Sequence, residues 1–428
     1  MIYVVFREFI RWFYQLFFKK INIQGFENIP KGKPVILAAN HTNALVDPLV
    51  VAVFIRRFIY FLARADVFAN KFLTWLFGQV HMRPIYRPRD GADYIEKNEK
   101  IFDEVNSWLL SKKAVLIFAE GNCVSQKRLR PLKKGTVKMG FKAWEEGADV
   151  YIVPTGINYT NHHEGRKELM ISYGKPMRLE DYRTSFEQNP AKAYREANRD
   201  LYNGIIQEMI VIDKVETENV AESLLEIGRN ELNESRFPIM VNNPKRLHLE
   251  QRIVNKVNQC FKEDNEAYEG LKAKVEAYQT QLKSLNTNDK AVRNWNTPNS
   301  LIVLILAPFA TFLSKLFHYP YRTFYKKAKT MTKNDISMFV TVWTGLLMGA
   351  YIAFGFLWLI IGSFFLGLIL TLGIGISIVF ITYWTGVILE KRQQDKLNSA
   401  MEQLKYNEPQ LFQKMIDLRT ELIDWIKN

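Results

Sequence analysis

A histidine and an aspartate stand close together after a strongly apolar run near the start of the chain. The run Val35–Ala39 is typical of a buried strand, and His41 and Asp47 follow it directly. In α/β proteins, chemistry is concentrated at the carboxyl ends of such strands. A neutral imidazole can accept a proton from a hydroxyl group, while a nearby carboxylate fixes the tautomer and stabilises the imidazolium. We therefore predict an acid–base pair at this strand end.

Three further polar patches follow apolar runs downstream. The segment 82–88 contains Arg87, whose guanidinium group has the shape to clamp a phosphate with two hydrogen bonds. The segment 118–122 contains Glu120 and precedes a basic run at 127–134, which is either a solvated loop or a contact for a phosphate, an anionic lipid or an acidic carrier protein. The last patch is Val-Pro-Thr-Gly-Ile at 153–157.

The composition narrows the class of protein. Among 428 residues, 58 are Lys or Arg and 44 are Asp or Glu, which suits nucleic acid, an anionic membrane or a phosphorylated substrate. We predict no nucleic-acid binding, because no motif for it is present. The two cysteines are far apart in the sequence and indicate a reducing compartment.

Two other kinds of site are disfavoured by the sequence. Adjacent His162, His163 and Glu164 lack the spacing of metal ligands, so we predict no metal site. A serine hydrolase is disfavoured because no Gly-x-Ser-x-Gly elbow is present.

The elements that must position these patches alternate between short apolar runs and amphipathic helices from residue 25 to about 212. This pattern predicts an α/β fold with a largely parallel sheet covered by helices. The predicted strands are Val35–Ala39, Ile59–Ala63, Ala114–Phe118, Tyr151–Ile157 and Leu169–Tyr173. The predicted helices are Tyr94–Leu110, Thr136–Trp144 and a third opened by Asn189 and Pro190.

Residues 1–22 are aromatic and basic rather than purely apolar. They carry Arg7, Glu8 and Arg11, and no small-residue cleavage site follows, so the segment is not a cleavable signal. We predict an amphipathic helix lying in the membrane interface, and the alternative is a core helix packed on the following domain.

The second half of the chain changes character. Residues 213–296 are rich in Glu, Lys, Asn and Gln with spaced apolar positions, which predicts a charged helical region that is a structural spacer or, alternatively, a partner-binding segment. Residues 297–335 begin with a short apolar run and end in a basic linker. The run, Leu301–Leu313, is too short to span a bilayer, so we predict an interfacial or re-entrant segment.

A long uncharged stretch follows. Residues 336–389 contain no charged side chain, which at about 20 residues per crossing predicts a two-helix transmembrane hairpin over 336–390 with its turn at Gly362 and Ser363. Both flanks are basic, so the positive-inside rule places both ends of the hairpin, and with them the α/β region, on the cytoplasmic face. Residues 391–428 are then a cytoplasmic helical tail.

Taken together, the four patches resemble the motifs of the glycerol-phosphate and lysophospholipid acyltransferase superfamily, which has the plsC-like fold. The resemblance covers roughly residues 20–215 and identifies 23–212 as an acyltransferase domain. It extends to the fungal-type branch that acylates glycerol 3-phosphate or dihydroxyacetone phosphate. Pro131-Leu132-Lys133 and Phe317-His318-Tyr319-Pro320 look like counterparts of segments in that branch.

The resemblance implies a role for each site residue. His41 would be the general base on the acceptor hydroxyl, and Asp47 would orient it with help from Asn43. Glu120 would contribute to acceptor binding, and Pro154 would shape the acyl-donor side. The implied donor is a fatty acyl thioester, either acyl-CoA or an acyl group on acyl carrier protein (ACP), and no cofactor or metal is required.

Two departures from the family pattern concern the acceptor phosphate and the acid–base pair. Five residues separate His41 from Asp47 where four are usual, although the fungal-type branch shares the longer spacing. Cys123 stands where many members have Arg. The implied phosphate ligands are therefore Arg87 and Gly121, with Arg128, Arg130 or Lys133 as further candidates.

The resulting expectation is an integral membrane O-acyltransferase that acts at the sn-1 hydroxyl of glycerol 3-phosphate or dihydroxyacetone phosphate, the first step of phospholipid synthesis. Its expected partners are the acyl thioester, the phosphorylated glycerol acceptor and membrane lipids. Acylation of 1-acylglycerol 3-phosphate or another lysolipid is an alternative that the same motifs permit. A non-catalytic membrane-anchored scaffold is the alternative from a different class.

Overall fold

The computed structural model describes residues 2–68, 70–160, 167–317, 319–332 and 336–428. The chain divides into two compact units. The first unit comprises Met1–Val211, Arg236–Leu247 and Asp335–Thr341, and the second comprises Ile212–Ser235, His248–Asn334 and Val342–Asn428. His162, His163 and Glu164, where the sequence predicts no metal site, lie outside the described residues.

The first unit is built on one sheet to which the described residues contribute nine strands. They are β1 (Lys20–Gln24), β2 (Val35–Ala39), β3 (Ile59–Arg64), β4 (Met82–Ile85), β5 (Ala114–Phe118), β6 (Tyr151–Tyr159), β7 (Glu168–Tyr173), β8 (Met177–Arg178) and β9 (Met240–Val241). The order across the sheet is β4-β3-β5-β2-β6-β7-β1-β9, with β8 paired to β6. All pairings are parallel except those of β6 with β7 and with β8.

The predicted α/β class with a largely parallel sheet is confirmed. The apolar strands β2 and β5 begin and end where the sequence predicts, because both are buried along their whole length or nearly so. The sequence did not predict β1, β4, β8 or β9, which are short and mix polar with apolar residues.

Helices cover the sheet of the first unit. They are α1 (Ile2–Phe17), α2 (Val46–Phe54), α3 (Lys71–Gln79), α4 (Tyr94–Leu110), α5 (Gly135–Glu145), α6 (Arg183–Gln188) and α7 (Pro190–Gln207). Helix α7 starts as predicted, because the Asn189 side chain caps the backbone N–H of Lys192 and Pro190 occupies the first helical position.

The amino-terminal helix is apolar on two faces. Its inner face buries Ile10 and Tyr14, whereas Val5 and Trp12 on the outer face are 65% and 66% exposed. The packing on the domain that was the alternative prediction is therefore observed, and the membrane-interface position of the helix stays a prediction. The helix ends at Phe17 rather than at residue 22, because Lys20–Gln24 pairs as β1 with β7 and β9.

The second unit contains helices and no strand in the part of it that the structure describes. Its helices are α8 (Glu218–Leu232), α9 (Pro244–Glu263), α10 (Asn265–Ser284), α11 (Asp289–Arg293), α12 (Leu301–Phe317), α13 (Tyr319–Met331), α14 (Ile336–Leu366), α15 (Leu368–Asn407) and α16 (Pro409–Lys427). Helices α9 and α14 begin in segments that belong to the first unit. The buried carboxylate of Asp289 joins α11 to three other helices, since it accepts hydrogen bonds from Asn230, Tyr278 and Arg419.

Two helices in the described chain are long and apolar enough to cross a membrane, Met338–Leu366 and Leu368–Asn407. Their connection differs from the prediction, because the chain turns at Gly367, which adopts a φ of 74°, and not at Gly362 and Ser363. Gly362 remains helical and allows close packing instead: a Cβ there would lie 2.7 Å from Cγ2 of Thr371 on α15. The preceding apolar run forms α12, which packs small residues such as Ala307 and Ala310 inward and leaves Ile305 and Phe309 exposed.

Candidate active site

His41 and Asp47 form a close pair at the carboxyl end of β2. The His41 Nδ1 atom lies 2.9 Å from the Asp47 Oδ2 atom. The Asp47 side chain is fully buried, whereas the His41 side chain is 15% exposed and stacks on the ring of Phe118 at 3.9 Å. Since Nδ1 faces the carboxylate, Nε2 is the nitrogen that can meet a substrate hydroxyl. The arrangement can accept a proton at Nε2 and stabilise the resulting charge through Asp47.

The longer spacing between the pair is accommodated by a turn that wraps around the carboxylate. Asp47 lies in the first turn of α2, and its Oδ2 atom accepts hydrogen bonds from the backbone N–H groups of Thr42 and Asn43 at 2.7 and 2.8 Å. Asn43 therefore helps to orient the pair through its backbone rather than through its amide side chain. The five intervening residues leave the contact between His41 and Asp47 intact.

Strand β6 supplies two contacts that the sequence did not reveal. The hydroxyl group of Tyr159 donates to Asp47 Oδ1 at 2.7 Å. Burial and the charge of Asp47 raise the pKa of Tyr159 well above its ordinary value, so the hydroxyl stays protonated and remains a donor. Asn40 exchanges two hydrogen bonds with the backbone of Ile157, which ties the end of β2 to β6. In the sequence, Asn40 directly follows a predicted strand, whereas Tyr159 lies two residues beyond the predicted end of its strand.

Glu120 contacts the histidine through the backbone. Its carboxylate accepts the His41 backbone N–H at 2.8 Å and the Arg130 Nε–H, also at 2.8 Å, and its side chain is 3% exposed. Because Arg130 is held by this ion pair and by the carbonyl of Asn122, both residues support the loop that carries His41. The family resemblance implies a role for Glu120 in acceptor binding, and this geometry adds a structural role for it.

The phosphate candidates do not all lie together. Gly121 has a φ of 76°, and a Cβ there would lie 3.2 Å from Cγ of Lys133, so the exposed Lys133 side chain passes directly over it. Arg128 is half-buried in the same loop. Pro154 is buried on β6 and packs against Gly204 of α7, within the core of the sheet-and-helix layer.

Arg87 is separated from His41 by the order of the sheet. Strand β4, which precedes Arg87, is three strands away from β2, or about 14 Å at the usual strand spacing. Its guanidinium group donates to Asp90 and to Asp66 at 3.0 Å. A phosphate held by Arg87 would have to compete with these two carboxylates.

Cys123 lies near the charged groups that surround His41, namely Asp47, Glu120 and Arg130. Burial, followed by the negative charge of Asp47, raises the pKa of the Cys123 thiol far above its ordinary value. A higher pKa means less thiolate at neutral pH, and thiolate is the form that reacts.

We therefore expect Cys123 to resist iodoacetamide in the folded protein at pH 7.5 and to react at least tenfold faster after denaturation. Mass spectrometry of the alkylated peptides measures both rates, with the second free thiol, Cys260, as an internal reference. Rapid labelling of Cys123 in the folded protein would contradict a raised pKa of this thiol.

Part of this chain is similar to proteins of a known family. Residues 20–158 match the family model described as Acyltransferase. The chain is 29% identical over 102 residues to glycerol-3-phosphate O-acyltransferase 1 of Saccharomyces cerevisiae, covering 23% of this chain and 13% of that protein. It is 22% identical over 197 residues to an uncharacterized acyltransferase of Schizosaccharomyces pombe, covering 45% and 28%. The matches thus span less than a third of each relative's length.

A solved structure is also similar. The crystal structure of PlsC, the 1-acyl-sn-glycerophosphate acyltransferase of Thermotoga maritima, aligns with 44% of this chain and 71% of that one at 17% identity and a TM-score of 0.33.

Proposed function

We propose that residues 20–158 of this chain are an acyltransferase domain, as their match to the Acyltransferase family model supports. In this proposal the protein transfers a fatty acyl group from a thioester to the sn-1 hydroxyl of glycerol 3-phosphate or dihydroxyacetone phosphate. The observation that carries the proposal is the 2.9 Å contact between His41 Nδ1 and the buried Asp47, which lies inside the matched domain. The partial match to a glycerol-3-phosphate acyltransferase supports this choice of acceptor.

In the proposed reaction, His41 Nε2 removes the proton of the acceptor hydroxyl as its oxygen attacks the thioester carbonyl carbon. The new C–O ester bond forms, the C–S bond breaks, and the departing thiolate takes up the proton from the imidazolium to leave as a thiol. A thioester is already activated, so one base near neutral pH is sufficient. Asp47 balances the positive charge that His41 acquires during the step.

The acceptor phosphate is proposed to bind at the basic loop that follows Glu120. Lys133 is exposed beside Gly121, and Arg128 belongs to the same loop. Arg87 is a further proposed ligand, one that must release at least part of its contact with Asp66 and Asp90. Neither a metal nor an organic cofactor has a role in the proposed reaction, and acyl-CoA or acyl-ACP enters as a co-substrate.

The proposed setting is a membrane. Helices α14 and α15 have the length and composition to cross a bilayer, and only 11% of the most apolar part of each is buried inside the protein. The basic residues that flank this pair of helices favour a cytoplasmic location for the catalytic domain by the positive-inside rule. The outward apolar face of α1 would rest in the interface of the same membrane.

Acceptor competition tests the proposed function. We expect detergent-solubilised full-length protein, given labelled acyl-CoA and equal concentrations of glycerol 3-phosphate, dihydroxyacetone phosphate and 1-acylglycerol 3-phosphate, to label one of the first two at least tenfold faster than the third. A parallel reaction with acyl-ACP measures the donor preference. Preferential labelling of the lysolipid would favour the alternative acceptor class, and no labelling of any acceptor would favour a non-catalytic scaffold.

A further inference from the structure

The second oxygen of the Asp47 carboxylate has a single donor. Oδ2 faces His41 Nδ1 and two backbone N–H groups, whereas Oδ1 accepts from the hydroxyl of Tyr159 at 2.7 Å and from no other group in the described chain. A fully buried carboxylate needs hydrogen-bond donors on both oxygens to hold its charge and its orientation. Tyr159 is therefore placed to determine how Asp47 faces the histidine.

Tyr159 is itself rigidly held. It is the last residue of β6, where it pairs with Leu169 of β7, and its ring is buried beside Phe18. Because strand β6 is also tied to the end of β2 through Asn40, the distance between the Tyr159 hydroxyl and the loop that carries His41 is fixed by the sheet. The hydroxyl reaches Asp47 without depending on a mobile side chain.

We propose that Tyr159 is a positioning residue for acyl transfer, which acts through Asp47 to hold the His41 imidazole in its productive orientation. This inference rests on the proposed function and assigns a role to a residue outside the four sequence motifs. Without the hydroxyl, Asp47 Oδ1 loses its donor, and the carboxylate can rotate away from the geometry that the imidazole requires. We expect substrate binding to change little, because the Tyr159 side chain is buried and its hydroxyl group donates to Asp47.

The sheet offers a matched control. Tyr173 of β7 is also a buried tyrosine, but its hydroxyl has no hydrogen-bond partner among the described residues. The substitutions Tyr159→Phe and Tyr173→Phe therefore remove the same atom from two equally buried rings of one sheet. They differ only in whether that atom holds Asp47.

The first experiment compares steady-state kinetics of the full-length protein in detergent. We expect Tyr159→Phe to lower kcat roughly tenfold while the KM for the phosphorylated acceptor changes less than about twofold, and we expect Tyr173→Phe to retain the kcat and KM of the unsubstituted protein. Unchanged kcat in Tyr159→Phe, or a fall of the same size in both variants, would overturn the proposal.

The second experiment is a double-mutant cycle on thermal unfolding, which does not depend on activity. We expect Tyr159→Phe to lower the melting temperature in the presence of Asp47 but to have little effect in an Asp47→Ala background, whereas Tyr173→Phe behaves identically in both. If Asp47→Ala does not fold, Asp47→Asn gives a weaker coupling of the same sign. If the changes in melting temperature caused by Tyr159→Phe and by the Asp47 substitution were additive, the two side chains would not be coupled and the proposal would be wrong. Because this cycle needs no turnover, failure of the proposed function and failure of this inference are distinguished.

Discussion

Replacing His41 with alanine is expected to reduce acyl transfer by roughly 10³-fold or more, with little change in stability. The side chain is partly exposed, and its main contacts are the 2.9 Å approach to Asp47 and the stacking on Phe118. Loss of the imidazole removes the proposed general base for the hydroxyl proton. The rate is measured with labelled acyl-CoA under saturating acceptor, and stability is measured by thermal unfolding.

The control for this substitution is His248→Ala on α9, because His248 is an exposed histidine of the second unit. That variant should transfer at the unsubstituted rate. If His41→Ala retained more than a tenth of the activity, His41 would not be the general base, and the mechanism proposed above would be wrong.

The second large effect is expected at Glu120. Replacing it with alanine removes the acceptor of the His41 backbone N–H and leaves Arg130 without its carboxylate, and such a loss typically costs about 3 kcal/mol of unfolding free energy. The isosteric Glu120→Gln keeps the volume but presents an NH₂ group to donors, so we expect kcat to fall about 100-fold as the loop shifts.

The two roles of Glu120 separate in the kinetics. A role in supporting the loop predicts that Glu120→Gln lowers kcat at an almost constant KM for the acceptor. Direct acceptor binding predicts a raised KM at an almost constant kcat. The matched control is Glu104→Gln, since Glu104 also pairs with an arginine, Arg83, at 2.7 Å but is exposed at the surface. That variant should show neither change.

The sequence was most informative where burial is strongest. Strand β2 is apolar at every position and is buried at every position, so its limits could be predicted from composition alone. Strand β1 could not be predicted, because Lys-Ile-Asn-Ile-Gln is short and its pairing partners lie more than 140 residues away in the chain. Its neighbour β9 is only two residues long and exists through that pairing.

In the candidate site, too, some residues could be predicted from the sequence and others could not. The position of His41 and Asp47 after a predicted strand indicated the pair, and their contact is formed by a local turn within one segment. Tyr159 could not be found in this way, because a tyrosine at the end of a strand is commonplace and its hydrogen bond joins residues 112 positions apart. The contact between Glu120 and the His41 backbone likewise depends on two strands being neighbours, which no local pattern reveals.

The interleaving of the two units has a consequence for biosynthesis. Strand β9 completes the far edge of the sheet, and Arg246 forms an ion pair with Glu168 of β7. Both β9 and Arg246 come from a segment that follows α8, the first helix of the second unit. The nascent domain would therefore emerge with an open strand edge at β1, a geometry that invites pairing with other chains. The edge closes only when residues 240–241 become available, so we expect the sheet of the first unit to be completed late, after this distant part of the chain has been made.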